Sequence, residues 1–211
     1  QTAGSFFFFF DGGGGSNTID FAAENFGMPA SINYQMQNGS GFAGGGTFAN
    51  VTQFIGQGAG YTFTGPTAGT AYTITGADDF TFGSVTVTDF ANLTSGANAD
   101  SFTFNAGGSL SGQITSGGGA NQLNLSAIAG PVAVNYQTGV APGVIGGFSG
   151  IGSFIGAGAG FSFTGPVAGT TYVVTGANDY TFGSVTVTDF ANLTGSEERR
   201  GGKERRRECR S

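Results

Sequence analysis

The side chains with the clearest chemical potential in this sequence are carboxylates that recur in pairs. Asp78-Asp79 recurs as Asn178-Asp179, and Asp89 recurs as Asp189. Two carboxyl groups about 5 to 9.5 Å apart are able to hydrolyse a glycosidic bond. Neighbouring residues of a strand point to opposite faces, however, and one member of the pair is an asparagine in the second copy. We therefore expect these residues to cap turns or to lie at solvated turn ends, with an acidic stripe along the molecule as the alternative.

Basic side chains are missing from most of the chain. It has 211 residues and no histidine, and all seven lysine and arginine residues follow residue 195. Residues 1–195 carry nine acidic groups and residues 196–211 carry four, so the net charges are −9 and +3, which together give −6. Residues 1–195 therefore have no histidine to act as the base of a serine triad, no lysine for a phosphate loop and no basic side chain to bind the phosphates of nucleic acid. We predict that the protein is not an enzyme, with no catalytic residues, no cofactor and no nucleic-acid partner.

One segment of fourteen residues organises the rest of the sequence. Thr81 to Thr94 returns unchanged at Thr181 to Thr194, and residues 51–95 match residues 151–195 at 32 of 45 positions. Within this segment valines alternate with serine and threonine, the period of two that is typical of a strand with one buried face. A strand unit copied at a fixed interval indicates a stacked repeat protein, in which each unit completes the core of its neighbour.

Short strands separated by glycine clusters recur throughout residues 11–195, which contain two repeats of about 100 residues. A shorter spacing of 21 residues relates 93–96 to 114–117. We predict an all-β fold, a right-handed parallel β-helix (β-solenoid) with coils of about 20 residues stacked about 4.8 Å apart. Its uncapped ends are expected to favour end-to-end association. The positions expected to be buried, together with the residues 100 positions later, are Phe63, Tyr72, Phe82, Val85 and Val87.

The two ends of the chain differ from this body. Residues 1–10 include a run of five phenylalanines and are interpreted as a low-complexity start, a truncated coil. Residues 196–211 hold every basic residue and the single cysteine, Cys209, so no disulfide framework exists within the chain. This tail resembles the translated read-through of a sequencing adapter, and we expect it to be disordered and its deletion to leave the melting temperature unchanged. No apolar run is long enough to span a bilayer, so we expect no membrane insertion.

Three segments carry a resemblance to a known class of proteins. Residues 89–104, 107–112 and 121–126 resemble the repeats of very large bacterial β-strand-repeat proteins of the filamentous-haemagglutinin and adhesin type. The resemblance extends over roughly residues 11–195. It implies a glycine-rich stalk or passenger of a secreted or cell-surface protein in the extracellular space. It also implies that the partners are neighbouring repeats of the same long chain and glycans or proteins of host or cell surfaces.

A second resemblance concerns metal binding. Residues 12–20, 96–102 and 117–123 are similar to the glycine-rich nonapeptide of calcium-binding toxin repeats. That site uses an aspartate at the sixth position of successive turns, so that carboxylates and turn carbonyls surround the ion. Asp100 keeps this charge, Asn17 and Asn121 stand at or next to the same place, and Asp11 and Asp20 are the other calcium candidates. The alternative function is thus a ligand-binding solenoid that uses calcium or carbohydrate, while Gly/Asn turns with left-handed backbone explain the motif without a metal.

Threonines alternate with apolar residues on three of the expected strands, Thr62-Phe63-Thr64, Thr73-Ile74-Thr75 and Thr86-Val87-Thr88. They are similar to the threonine rows of ice-binding solenoids, which recur once per coil on a flat face. Here the three motifs are unevenly spaced and follow one another too closely for one row per coil, and the second becomes Val173-Val174-Thr175. The spacing therefore favours ordinary surface threonines of strands over an ice-binding face.

Overall fold

A computed structural model describes residues 8–22, 29–40, 46–166 and 170–195. Every regular element among them is a β-strand, so the described residues contain no helix that could cross a membrane. Residues 1–7 of the predicted start and the whole predicted tail, 196–211, lie outside the described residues. The strands are β1 (Phe8–Asp11), β2 (Thr18–Asp20), β3 (Ser31–Asn33), β4 (Asn38–Ser40), β5 (Gly46–Ala49), β6 (Gln53–Thr64), β7 (Ala71–Gly76), β8 (Asp79–Phe82), β9 (Val85–Thr94), β10 (Ser101–Phe104), β11 (Ile114–Thr115), β12 (Gln122–Asn124), β13 (Val132–Asn135), β14 (Phe148–Ser149), β15 (Ser153–Thr164), β16 (Val173–Gly176), β17 (Asp179–Phe182) and β18 (Val185–Thr194).

Side chains alternate between the core and the surface along the strands, as the sequence pattern predicts. In β9 Val85 and Val87 are buried and Thr86 between them is exposed. In β7 Tyr72 and Ile74 are buried in the same way. A slip of one residue would turn these apolar side chains to solvent, so the alternation sets the register of each pairing.

Two ladders of paired strands run along the molecule, and both contain hairpins. In the first ladder Ile19, Phe54 and Val87 are stacked in parallel register on β2, β6 and β9. The chain then turns back twice, so that β9, β8 and β7 pair antiparallel. Beyond β7 the ladder continues in parallel through β10, β12 and the first halves of β15 and β18. The molecule is a β-solenoid with hairpins built into the stack.

The second ladder lies against the first and uses the second halves of the long strands β6, β9, β15 and β18. It begins with β1 and β5, which pair in parallel, and continues antiparallel through β4 to β3. From β3 onward it is parallel and stacks, in order, Ile32, Phe63, Leu93, Ile114 and Phe148. It then turns back through Gly139 and Val140 to β13, which pairs in parallel with β15. Register shifts between Ile55 and Thr62 mark where β6 leaves one ladder for the other.

The predicted β-solenoid is confirmed, but its coils are longer than the sequence predicted, and the predicted coil length is wrong. The steps from Phe102 to Leu123 and from Leu93 to Ile114 keep the short interval seen in the sequence. Other parallel steps are longer, as from Phe8 to Gly46, and the average coil is roughly 31 residues long. The excess is explained by the hairpins, because β3 and β4 lie between Phe8 and Gly46, and β7 and β8 lie between Phe54 and Val87. The right-handed winding stays a prediction.

One full period of the long repeat, 100 residues, advances both ladders by six strands. In the first ladder the path from Phe54 to Phe154 runs through β9, β8, β7, β10 and β12 before reaching β15. In the second ladder the path from Phe63 to Phe163 runs through β9, β11, β14, Val140 and β13. At a strand spacing of about 4.8 Å, one repeat corresponds to about 29 Å of length.

Aromatic side chains fill the space between the ladders. Phe54 of the first ladder and Phe63 of the second meet edge to face, with ring centroids 5.3 Å apart. All five positions predicted to be buried are at most 6% exposed, and the prediction is confirmed for them. It also holds for four of the five residues 100 positions later; the exception is Tyr172, which is only half-buried. In the described part of the chain no strand covers β16 as β10 covers β7.

Candidate functional site

The strongest calcium candidate, Asp100, lies in a column of stacked turns. The turns 65–70, 95–100 and 116–121 each precede a strand of the first ladder, and their last residues are in register because β7, β10 and β12 are. The backbone N–H of Thr70 donates to Asp100 Oδ1 at 2.8 Å, and the N–H of Asp100 donates to Asn121 Oδ1 at 2.9 Å. Asn121 Nδ2 donates to the carbonyl oxygen of Gly150 at 3.0 Å. Each side chain therefore satisfies the backbone of the neighbouring coil.

Glycines allow these turns to stack closely. A Cβ atom on Gly96 would overlap the carbonyl oxygen of Pro66, and one on Gly117 would overlap the carbonyl oxygen of Gly96. Within the turns 65–70, 95–100 and 116–121, Gly119 is the one glycine with a left-handed backbone, with φ of 87°. The sequence interpretation assigned these glycines to left-handed turns, and the structure corrects it for Gly96 and Gly117, where the glycine is needed for the close approach of two coils.

The chemistry available at Asp100 is that of one buried carboxylate. The residue is 3% exposed, its Oδ2 atom has no hydrogen-bond partner, and a groove of about 390 Å³ lined by Thr70, Ser101 and Gln122 lies beside it. Burial and the nearby Asp100 charge raise the pKa of the Tyr72 hydroxyl. Calcium requires six or more oxygen ligands. In the column, threonine and asparagine take the positions next to Asp100 and supply no second carboxylate.

The other two calcium candidates lie on different strands and each bonds to its own turn. Asp11, at the end of β1, accepts hydrogen bonds from the Gly13 N–H at 3.0 Å and from Asn50 Nδ2 at 2.9 Å. These bonds, the first above all, hold the pKa of Asp11 below its usual value. Asp20, at the end of β2, accepts a bond from the Ala22 N–H at 2.7 Å. Across the described ranges, no three His, Cys, Asp or Glu side chains are grouped so as to hold a metal ion.

The carboxylates that first suggested catalysis lie at or next to the turn between β7 and β8. Asp78 accepts bonds from the backbone N–H and the hydroxyl of Ser111, at 2.6 and 2.8 Å. Asp79 Oδ1 accepts a bond from the N–H of Asp89 at 3.1 Å, and Asp179 accepts the corresponding bond from Asp189 at 2.9 Å. These side chains bind backbone groups as predicted, but the groups belong to other segments of the chain, so they link strands and do not cap their own turns.

The pKa of Asp89 is raised above its ordinary value. Burial contributes most to the rise, followed by the charges of Asp79 and Asp78. The backbone of Asp89 is left-handed, with φ of 56°, and so is that of Asp189, with φ of 58°. Asp89 therefore lies in a strained and negatively charged position; in the second repeat Asn178 stands in place of Asp78.

A threonine row on the outer face of the first ladder was missed by the sequence argument. Thr86 is in register with Thr81, Thr81 with Thr73, and Thr73 with Thr103, so four adjacent strands each contribute one threonine. The ice-binding pattern requires one threonine row per coil, whereas the hairpin of β7, β8 and β9 places three of these strands side by side. The signal that would have found it is the pair of two-residue turns, 77–78 and 83–84, which are typical of hairpins.

No protein-family model matches this sequence, and comparisons with curated proteins and with solved structures also give no match.

Proposed function

We propose that the chain is a non-catalytic structural segment, a stalk or passenger, of a large extracellular adhesin-like bacterial protein, where it spaces other domains. The observation that carries this proposal is the continuity of the stack: two copies of one unit extend the same two ladders. One full period adds about 29 Å, six strands at about 4.8 Å, and repeats of this kind lengthen a protein by simple addition.

The environment of the carboxylates supports a role without catalysis. Asp78 and Asp79 are engaged with backbone N–H groups of Ser111 and Asp89. Residues 1–195 contain no histidine, lysine or arginine that would serve as a general acid, a general base or a clamp for a developing negative charge. A carboxylate that already accepts hydrogen bonds from backbone N–H groups is a poor candidate for proton transfer.

We further propose that the segment contacts neighbouring repeats of its own long chain and, from its sides, glycans or proteins of host or cell surfaces. Support comes from the outer faces of the strands, where threonine, serine and asparagine alternate with the core residues. Such groups donate and accept hydrogen bonds with sugar hydroxyls, while the negative charge of the body repels phosphate groups of nucleic acid and anionic lipid.

A chain in which residues 95–194 are duplicated tests the spacing role. Inserting the second copy after Thr194 restores the junction of Thr94 with Ser95, so both ladders are expected to continue. The maximum dimension measured by small-angle X-ray scattering should rise by about 29 Å. An increase of less than half that value, or loss of the β-type circular dichroism spectrum, would contradict the proposal.

An assay for polysaccharide cleavage tests the absence of catalysis. The chain is incubated with a panel of neutral and acidic polysaccharides and new reducing ends are counted; we expect none above the buffer blank. The matched control is the double variant Asp89→Asn, Asp189→Asn. Turnover by the wild-type chain that this variant loses would show that the carboxylates are catalytic.

A second candidate function, binding to a regular polar surface such as a polysaccharide or ice, is favoured by the threonine row. Four threonines at the strand spacing of about 4.8 Å present methyl and hydroxyl groups at regular intervals. Thr81→Lys interrupts this row. Thr181→Lys is the matched control, because Val173 already interrupts the row of the second repeat. Retention on insoluble polysaccharide, or thermal hysteresis, that Thr81→Lys alone abolishes would support this function, and equal behaviour of both variants would rule it out.

A further inference from the structure

The outer face of the second ladder carries an unbroken row of uncharged polar side chains. Five adjacent parallel strands contribute one residue each, which comes directly after a buried core residue and therefore lies on the opposite face. At about 4.8 Å per strand the row is about 19 Å long. A second row lies two positions earlier on three of these strands. We call the two rows together the neutral face: Asn33, Thr64, Thr94, Thr115 and Ser149, with Ser31, Thr62 and Asn92.

The hydroxyl groups of the longer row are free to bind a ligand. Thr64, Thr94 and Thr115 are partly exposed and Ser149 is exposed. Within the described part of the chain, none of these four hydroxyl groups makes a hydrogen bond. Because the strands are parallel, their outer side chains repeat with the same orientation and an even spacing. The neutral face therefore presents one free hydroxyl on each of four consecutive strands.

Charge distinguishes the neutral face from the outer face of the first ladder. No acidic or basic side chain occurs in the strand segments that form the neutral face: 31–33, 62–64, 92–94, 114–115 and 148–149. In the first ladder Asp79 begins β8 and Asp179 begins β17, and both side chains lie on the face opposite to the buried aromatic residues that follow them. An uncharged ligand on the neutral face therefore avoids the cost of covering an unpaired charge.

The chemistry of the neutral face selects one class of ligand. Nucleic acid and anionic lipid are bound through basic side chains, which residues 1–195 lack. Protein partners are anchored by aromatic and arginine side chains, whereas this face consists of serine, threonine and asparagine. Hydroxyl and amide groups donate and accept hydrogen bonds, as the hydroxyl groups of sugars do. A linear sugar polymer also matches a row along the molecule, because weak contacts at several linked sites add to one another.

We propose that the neutral face binds an uncharged linear polysaccharide, which lies along the molecule and forms hydrogen bonds with Thr64, Thr94 and Thr115. The proposal rests on the proposed contact with glycans, and it names the surface and the class of glycan. It assigns this role to the second ladder and not to the threonine row of the first. There β7, β8 and β9 are antiparallel, so the orientation of the outer side chains alternates from strand to strand.

A triple variant, Thr64→Val, Thr94→Val and Thr115→Val, tests the proposal on the whole chain. Each substitution removes a hydroxyl and keeps a β-branched side chain, so the strands are expected to form as before. Retention on microcrystalline cellulose and on chitin, measured over a range of protein concentrations, gives the apparent dissociation constant. We expect this constant to rise about tenfold or more in the variant, because three hydrogen bonds to the polymer are lost. In the wild-type chain it should not depend on salt, since no charge takes part.

The matched control is a second triple variant, Thr73→Val, Thr81→Val and Thr86→Val, which removes three hydroxyl groups from the outer face of the first ladder. It should leave the dissociation constant unchanged. Circular dichroism and the melting temperature verify that both variants fold. If the neutral-face variant does not fold, the single variant Thr94→Val, at the centre of the row, takes its place and should weaken retention in the same direction.

The neutral face is the wrong surface if both triple variants weaken retention equally, or if only the first-ladder variant does. A wild-type chain that neither polysaccharide retains would refute this proposal together with the glycan contact, while the spacing role, tested by small-angle X-ray scattering, would stand. Stronger retention on an acidic polymer such as polygalacturonate would contradict an uncharged ligand. Thermal hysteresis that the neutral-face variant loses, in a chain that binds no polysaccharide, would assign the face to ice and refute the proposal.

Discussion

Replacing Leu93 and Leu193 with alanine, in separate variants, compares one side chain in two positions of the stack. The two residues belong to strands of identical sequence, β9 and β18. Leu93 is fully buried between Phe63 on one side and Ile114 on the other. Leu193 has Phe163 on one side and is half-buried. Because the two strands have the same sequence, effects of strand propensity cancel in the comparison. Any difference between the two losses of unfolding free energy therefore reports the covering coil.

The expected losses of unfolding free energy are well separated. Leu93→Ala removes buried methyl groups and leaves a cavity between two coils, which costs about 2–5 kcal/mol. Leu193→Ala removes a side chain that is still partly in contact with water, which costs about 1 kcal/mol. Urea unfolding followed by circular dichroism and by tyrosine fluorescence measures both values, provided that the two probes give coincident transitions. Equal losses would refute the argument that the next coil provides the burial of Leu93.

Two further predictions concern the carboxylates. Because the pKa of Asp89 is raised in the folded chain, the stability that its protonated form contributes is lost as the pH rises through that pKa. Asp89→Asn should therefore raise the free energy of unfolding by about 0.2–1 kcal/mol at pH 7 and have no effect in acid. An equal gain at all pH values, measured by urea unfolding, would contradict this. Asp100→Asn should raise the free energy of unfolding by about 1 kcal/mol. The new side-chain amide can donate hydrogen bonds to carbonyl oxygens of its own turn, as the amide of Asn121 does. A calcium-dependent rise in the wild-type melting temperature that this variant loses would instead make Asp100 a metal ligand.

The alternation of core and surface residues could be predicted from the sequence because it is a local property of strands. Val85, Val87 and Phe63 are buried as their spacing requires. The length of a coil could not be predicted from this alternation, because the sequence of a strand does not show whether the neighbouring strand runs parallel or antiparallel to it. The short lengths of the turns 77–78 and 83–84 are what indicates antiparallel hairpins in the sequence. The left-handed backbone of Asp78 and Gly83 fits such turns.

The candidate site was predictable in its residues but not in its geometry. Asp100 was singled out by a motif, yet its partners in the column, Thr70 and Asn121, are set by the register of the neighbouring coils. Thr70 belongs to a turn with a different sequence, so no motif search would pair it with Asp100.

The short distance in sequence between partner strands has a consequence for how the chain folds. In both ladders the parallel partners come from consecutive coils, as Phe102 and Leu123 do, so a coil can close as soon as its own strands are available. Each completed coil offers an ordered edge on which the next can form. A polypeptide delivered slowly from one end, by a ribosome or through a narrow pore, would therefore fold progressively as it emerges, without waiting for its other end.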